Sequence, residues 1–356
     1  MNPLPPSPPS SLSSEPDAYP WHRVRSALYD EIYVSPHMDD AVYSCGGQMA
    51  LSRQRGARVL VLTVFGNGSA AEQGRGVFSD LERRKREELA ALDVVDVDFL
   101  WLNFPDWVFR SSSAGELARD ALPFASLAPS ALLARVHAAL SVPCTRLLAP
   151  GGRVYFPLAV GFHPDHRVVF EVGRALAERT RLPVSFYEDV PYAEVAALRG
   201  ERLRHLGKPA DFQPLRGAWA IQAFLFPYLK AWQQPFAAVF ILGLLLALRA
   251  LHGVLGRADP FGERLHLEER DISQVIRTKV EAMRAYETQT AFFYPSGDAL
   301  DSRLMRSGDT YVERYWTPDE ARAPTVLPLR TPDVERETHR LEALLRTLDV
   351  PRRRQG

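Results

Sequence analysis

Residues 31–65, EIYVSPHMDDAVYSCGGQMALSRQRGARVLVLTVF, decide how this chain folds. Glu31–Ser35 is a short apolar run that predicts a buried strand, and Ala57–Phe65, rich in Val and Leu, predicts a longer one. Ala41–Gly56 between them has helical character and stops on a glycine, as a helix C-terminus does. Strand, helix and strand at this spacing form the unit of a parallel sheet. The alternation continues with a charged amphipathic helix at Asp80–Leu92, a strand at Val97–Leu102 and a helix at Pro129–Leu140. Two short strands follow, Arg146–Ala149 and Val154–Phe156, then a helix at Asp165–Glu178 and a strand at Pro183–Tyr187. The predicted class is α/β, a mostly parallel sheet with helices on both faces.

Outside this body the pattern changes. Residues 1–20 (MNPLPPSPPSSLSSEPDAYP) are rich in Pro and Ser, contain no apolar stretch of the signal-peptide kind, and read as a tail. Residues 199–217 are polar and basic, and Ala218–Leu255 is unusually apolar, with no charge from Phe236 to Leu248. Two readings fit that stretch. One is a membrane-dipping or membrane-spanning hairpin of Trp219–Leu229 and Phe236–Leu251, with Trp and Tyr near its ends as an interfacial belt. The other is a pair of buried helices in a lid or an oligomer interface. Asp271–Thr288 predicts an amphipathic helix capped by Asp271 or Ser273, and residues 318–356 a charged peripheral helix and tail. The expected organisation is a tail over 1–25, one α/β domain built from 26–198 and 259–317, an apolar helical insertion over 199–258, and an extension over 318–356.

Composition excludes several functions. Lys+Arg and Asp+Glu both number 43, so the net charge is zero and the basic excess of a nucleic-acid binder is missing. The two cysteines, Cys45 and Cys144, support neither a disulfide framework nor a cysteine-rich zinc motif, and read as buried small hydrophobes of a reducing cytoplasm. The Gly66–Gly76 loop lacks the G-x-G-x-x-G arrangement, so a dinucleotide site is rejected.

Two constellations carry chemistry. Ser35-Pro36-His37-Met38-Asp39-Asp40 follows the first predicted strand, and His163-Pro164-Asp165-His166 follows Val154–Phe156. Ligands of open α/β sheets collect beyond the carboxyl ends of strands. Either set alone also reads as a polar turn or a surface pair. Together they offer a His/Asp/His donor set, which leaves a zinc ion one position for water, the requirement of a hydrolytic site.

With these motifs the sequence resembles the LmbE-like (PIG-L) de-N-acetylase family, which carries Pro-His-x-Asp-Asp and His-x-Asp-His on a Rossmann-like sheet. Further similar pieces are Glu82–Asp93, Leu102–Asp106 with Arg110, Tyr187–Tyr192, Lys279–Gln289 and Glu313–Trp316. The resemblance covers residues 29–192 and 260–317 and leaves the apolar insertion without a counterpart. It implies one Zn2+ per chain on His37, Asp40 and His166, and Asp39 as the base that deprotonates the attacking water. It also implies His163 as oxyanion stabiliser or proton donor, and Asp165 as the residue that orients a histidine. The family continues Asp-Asp with Glu, where this chain has Ala41. Arg84, Asp106 and Arg110 are implied as sugar-binding groups; Arg83, Arg84 and Arg86 also read as a solvated helix face paired with Glu87 and Glu88. Asn67 and Gly68 are candidate pocket residues.

The expected reaction is removal of an N-acetyl group from an amino sugar, in the cytoplasm. If the apolar insertion meets a bilayer, the substrate is a glycolipid at the inner face of the cytoplasmic membrane. The alternatives are an amidase for another N-acyl or thiol-conjugate substrate, and a non-catalytic glycan- or membrane-binding relative.

Overall fold

The computed structural model describes residues 22–68, 80–110, 130–210, 259–294, 299–319 and 332–347, with positions 239, 242, 243 and 246 in the apolar stretch. The N-terminal tail, most of the apolar insertion and the last residues lie outside the described part. Strand β1 (His22–Arg23) precedes the predicted alternation of β2 (Tyr29–Ser35), α1 (Asp40–Gln54), β3 (Val59–Asn67), α2 (Leu81–Val94) and β4 (Asp98–Pro105). The short helix α3 (Trp107–Arg110) follows, then α4 (Ser130–Arg146), β5 (Leu148–Pro157), α5 (Pro164–Arg179), β6 (Val184–Tyr187) and α6 (Ala196–His205).

The sheet runs β1-β4-β3-β2-β5-β6 and continues through two strands from the far end of the chain, β9 (Thr310–Pro318), on which the short β8 (Arg306–Ser307) folds back, and β7 (Leu265–Asp271). The pairs β4-β3, β3-β2, β2-β5 and β5-β6 are parallel, whereas β1, β9 and β7 join antiparallel. Each strand of the parallel centre is buried on both sides, which is why it reads as a nearly continuous apolar run. Ile32, Val34, Leu60, Leu62 and Leu100 pack on one face with Val136, Leu140, Val169 and Val172 of α4 and α5. Tyr33, Val59, Val61, Phe99 and Trp101 pack on the other with Val42, Met49, Leu92 and Met283. The predicted α/β class with helices on both faces is the observed one.

The chain reverses direction across the sheet at β2: β3 and β4 extend to one side and β5 and β6 to the other. Right-handed crossovers then place the two sets of helices on opposite faces, and a crevice opens between the carboxyl ends of β2 and β5. Both histidine motifs emerge there.

Three expectations need correction. The two short strands at 146–149 and 154–156 are one strand, Leu148–Pro157, whose Gly151 takes φ 79° inside the run. The single helix at Asp271–Thr288 is three pieces: Asp271 ends β7, a 3-10 turn covers Ser273–Val275, and α7 (Ile276–Arg284) and α8 (Glu287–Phe293) follow. Asp271 does accept from the Ser273 amide at 2.8 Å, so it caps the turn rather than a long helix. The antiparallel strands β7 and β9 were not expected, because β7 is largely exposed and its LHLEERD carries no clean alternation.

Those late strands anchor α1. Glu313 of β9 accepts from the Gly47 and Gln48 amides at 2.8 Å each and pairs with the buried Lys279 at 2.6 Å. Gly47 permits this approach, since a Cβ there would lie 2.7 Å from Ile272 Cδ1.

Candidate metal centre and active site

His37, Asp39 and Asp40 occupy the turn from β2 into α1. The turn is closed by Ser35, whose hydroxyl donates to the His37 carbonyl at 2.6 Å and accepts from the Ala41 amide at 3.0 Å. Asp39 stands at φ 121°, and its carboxylate does not cap the helix. That frees it to face the crevice. His163 is the residue before α5 and Asp165 and His166 lie in its first turn, with Pro164 opening the helix.

The two motifs meet around the Asp40 carboxylate. Its Oδ2 lies 3.1 Å from Nδ1 of His37 and 3.1 Å from Nε2 of His166. Bonds of 2.0–2.1 Å to a tetrahedral ion separate neighbouring donors by about 3.3 Å, so these spacings suit a shared cation. The other nitrogen of each histidine is taken by a further buried acid. Nε2 of His37 is 3.0 Å from Asp165 Oδ2, and Nδ1 of His166 is 2.6 Å from Asp189 Oδ1. Carboxylate partners of this kind fix the tautomer and ring orientation of metal-binding histidines. The centre holds more donors than one ion needs. Nitrogens of His37, His163 and His166 fall within 4.8 Å of one another, as do donor atoms of His37, Asp106 and Asp165.

The electrostatics describe a buried excess of negative charge. Burial alone would lower His37, yet Asp106, Asp165 and Asp40 hold it well above the usual histidine value. His166 behaves likewise: against the effect of burial, Asp40 and Asp189 hold it at about 9. Asp39 is raised well above the carboxylate range, by burial first and the Asp40 charge second. His163 moves the other way, pushed well below its usual value by burial and by His37 and His166. Carboxylates that keep their neighbours protonated are what a divalent cation would neutralise, so the donor set fits one.

Other candidates take supporting positions. Arg84 is buried, donates to the Met38 carbonyl at 3.4 Å and approaches Asp106 at 3.6 Å. It is therefore not on the solvated face of α2. Arg110 pairs with Asp165 and stacks 4.9 Å over the Phe65 ring. Asp106 lies 3.8 Å from His37 Nε2. Ala41 is buried, and its amide serves Ser35. Asn67 uses its side-chain oxygen to accept from Gly68 at 2.9 Å at the end of β3.

Sequence reasoning assigned no role to Asp189, although an acid directly beyond the end of a strand was the available signal. It also passed over Tyr192, whose ring stands perpendicular to His166 at 5.7 Å, and Arg202, which donates to the Leu158 carbonyl at 2.6 Å and supports the loop entering His163. Tyr192 closes the family-like segment Tyr187–Tyr192, whereas nothing local in the sequence points to Arg202.

Part of the chain is similar to known proteins. Residues 32–177, which contain both motifs, match the family described as PIG-L: GlcNAc-PI de-N-acetylase. The chain is similar to the 2'-N-acetylparomamine deacetylase of Streptomyces fradiae, 32% identical over 169 residues that cover 46% of this chain and 57% of that protein. The enzyme of the same description from Niallia circulans is 28% identical over 190 residues, 45% of this chain and 66% of its own. The chain thus spans less than two thirds of each of these relatives. Among solved structures, the A40926 pseudoaglycone deacetylase superposes with a TM-score of 0.50 at 20% identity, over 83% of this chain and 99% of the other. That likeness concerns the fold. Over residues 32–177 the chain is similar to the PIG-L (LmbE-like) family.

Proposed function

We propose that the protein is a metal-dependent hydrolase that removes the N-acetyl group of an amino sugar, with 26–198 and 259–317 as its catalytic domain. The observation that carries this reading is the pairing of His37 with Asp165 and of His166 with Asp189, on either side of Asp40. The relatives named for 2'-N-acetylparomamine deacetylation support the substrate class.

His37, Asp40 and His166 would hold one divalent ion, Zn2+ in this reading. Bound there, it would supply a Lewis acid for the amide carbonyl and lower the pKa of water. Asp39 takes a proton from the attacking water. The same carboxyl then returns the proton to the departing amine, so acetate and a free amino sugar leave. His163 stays neutral. Its Nδ1 accepts from the Asp165 amide at 3.3 Å, which leaves hydrogen on Nε2 to donate to the carbonyl oxygen as charge develops. Asp165 orients His37, while Arg84, Asp106 and Arg110 form the sugar side of the crevice and steady its acids.

The proposal extends to membrane contact through residues 218–256 and a glycolipid substrate at the inner face of the cytoplasmic membrane. Val239 and Leu246 support it, being helical and 71% and 48% exposed. No helix among the described residues is long and apolar enough to cross a bilayer. Sedimentation with anionic vesicles, with and without 218–256, tests this part; equal binding overturns it. The chemistry is tested by metal analysis together with acetate release from N-acetylated amino sugars, with and without a chelator. Metal-loaded protein that releases no acetate from any of them overturns it and leaves the glycan-binding relative; a different acid product identifies another amidase.

A further inference from the structure

Asn103 stands where β3 and β4 lose register. Thr63 pairs with Trp101 but Phe65 with Phe104, so β4 carries one extra residue, and Asn103 adopts φ 55°. Bulges re-aim side chains beside sites, and among residues with a Cβ asparagine tolerates this left-handed conformation best. The side chain then meets an unusual environment. Its Oδ1 is buried and accepts no hydrogen bond among the described residues, although the residue as a whole is only partly covered.

This amide lies beside the turn that carries the site. A Cβ on Gly66 would lie 4.0 Å from Asn103 Oδ1 and 2.8 Å from Met38 Cε, so the three residues converge at the carboxyl ends of β2, β3 and β4. Met38 adjoins Asp39, and Asp106 follows Asn103 by three residues. A second unsatisfied group lies on the same segment. Trp107 Nε1 is buried and meets no acceptor among the described residues, and its ring stands edge-on to His163 at 5.2 Å. If the turn required only a positive φ, glycine would fill it without burying an unpaired carbonyl oxygen.

We infer that Asn103 and Trp107 form a specificity subsite that pairs with polar groups of the sugar ring, Asn103 accepting from a hydroxyl or amine and Trp107 donating to a ring substituent. This inference rests on the amino-sugar reading of the same crevice. Unsatisfied site groups discriminate strongly against analogues that lack the matching hydroxyl.

The test uses the full chain loaded with metal and three proteins: wild type, Asn103→Gly and Trp107→Phe. Glycine keeps the backbone conformation and removes the amide; phenylalanine keeps a ring against His163 and removes the donor. N-acetylglucosamine and its monodeoxy analogues are titrated by tryptophan fluorescence, and kcat and KM are measured for acetate release. Asn103→Gly is expected to weaken sugar binding and raise KM about tenfold, with the loss in KM rather than kcat and no drop in Tm. One monodeoxy sugar should bind wild type and variant equally, which a structural role alone would not produce. Wild-type affinity in both variants overturns the subsite. Should wild type bind sugar but release no acetate, the deacetylase reading fails while the titration still decides the subsite.

Discussion

Nε2 of His37 lies 3.0 Å from Oδ2 of Asp165, 128 positions further along the chain. This contact joins the two motifs, and Arg110 and the Trp107 amide hold the same carboxylate from the other side, the latter at 2.9 Å. Asp165→Asn keeps the shape but removes the negative charge that orients His37. Metal affinity should fall about 10–100-fold. Competition with a chelator measures it, and an unchanged affinity would show that His37 is oriented by packing alone.

Asp39→Asn separates binding from chemistry. Asparagine is among the residues that best tolerate positive φ, so the turn should persist, and the inferred ligands are untouched. We expect full metal content with kcat reduced about 10²–10⁴-fold. Substantial turnover in this variant would move the base to another residue.

Glu88 gives a pH signature outside the centre. It is fully buried, accepts from Tyr286 at 2.5 Å and Thr63 at 3.2 Å, and burial raises its pKa to about 7. Its protonated form is therefore favoured by folding. Below about pH 4.5 both states hold the proton; as pH rises through 7 the unfolded state loses it first, and stability declines. The loss across this window is on the order of 3 kcal/mol. Glu88→Gln should flatten the Tm profile between pH 4.5 and 7, as followed by thermal melts. A profile identical to wild type would mean that Glu88 is ionised in the fold.

Gly173 lets α5, the helix that carries Asp165 and His166, rest on β5. A Cβ at this position would lie 2.5 Å from Phe156 Cγ. Gly173→Ala should cost about 1–3 kcal/mol of stability by overpacking. It should also weaken metal binding, because the helix must shift. Denaturant melts of loaded and metal-free protein distinguish the effects: a stability loss with unchanged metal affinity would show that the shift is absorbed away from the site.

The sequence by itself determined the parallel centre of the sheet. Strands buried on both faces and amphipathic helices write periodic signals that local reading recovers, and α2 indeed begins after Asp80, which accepts from the Arg83 amide at 3.0 Å. It also placed His37, Asp40 and His166 at strand ends, where short motifs are self-contained. Tertiary structure decided what those residues meet. Asp189 reaches His166 only because β5 and β6 pair, and β7 and β9 attach through contacts between the late chain and α1 that leave no periodic mark. Arg84 looks like a surface residue in a charged helix until Asp106 and the Met38 carbonyl are brought against it. Hydrophobic periodicity is local and survives in one dimension. The partner of a buried polar group is set by packing, and it emerges only when distant segments close on one crevice.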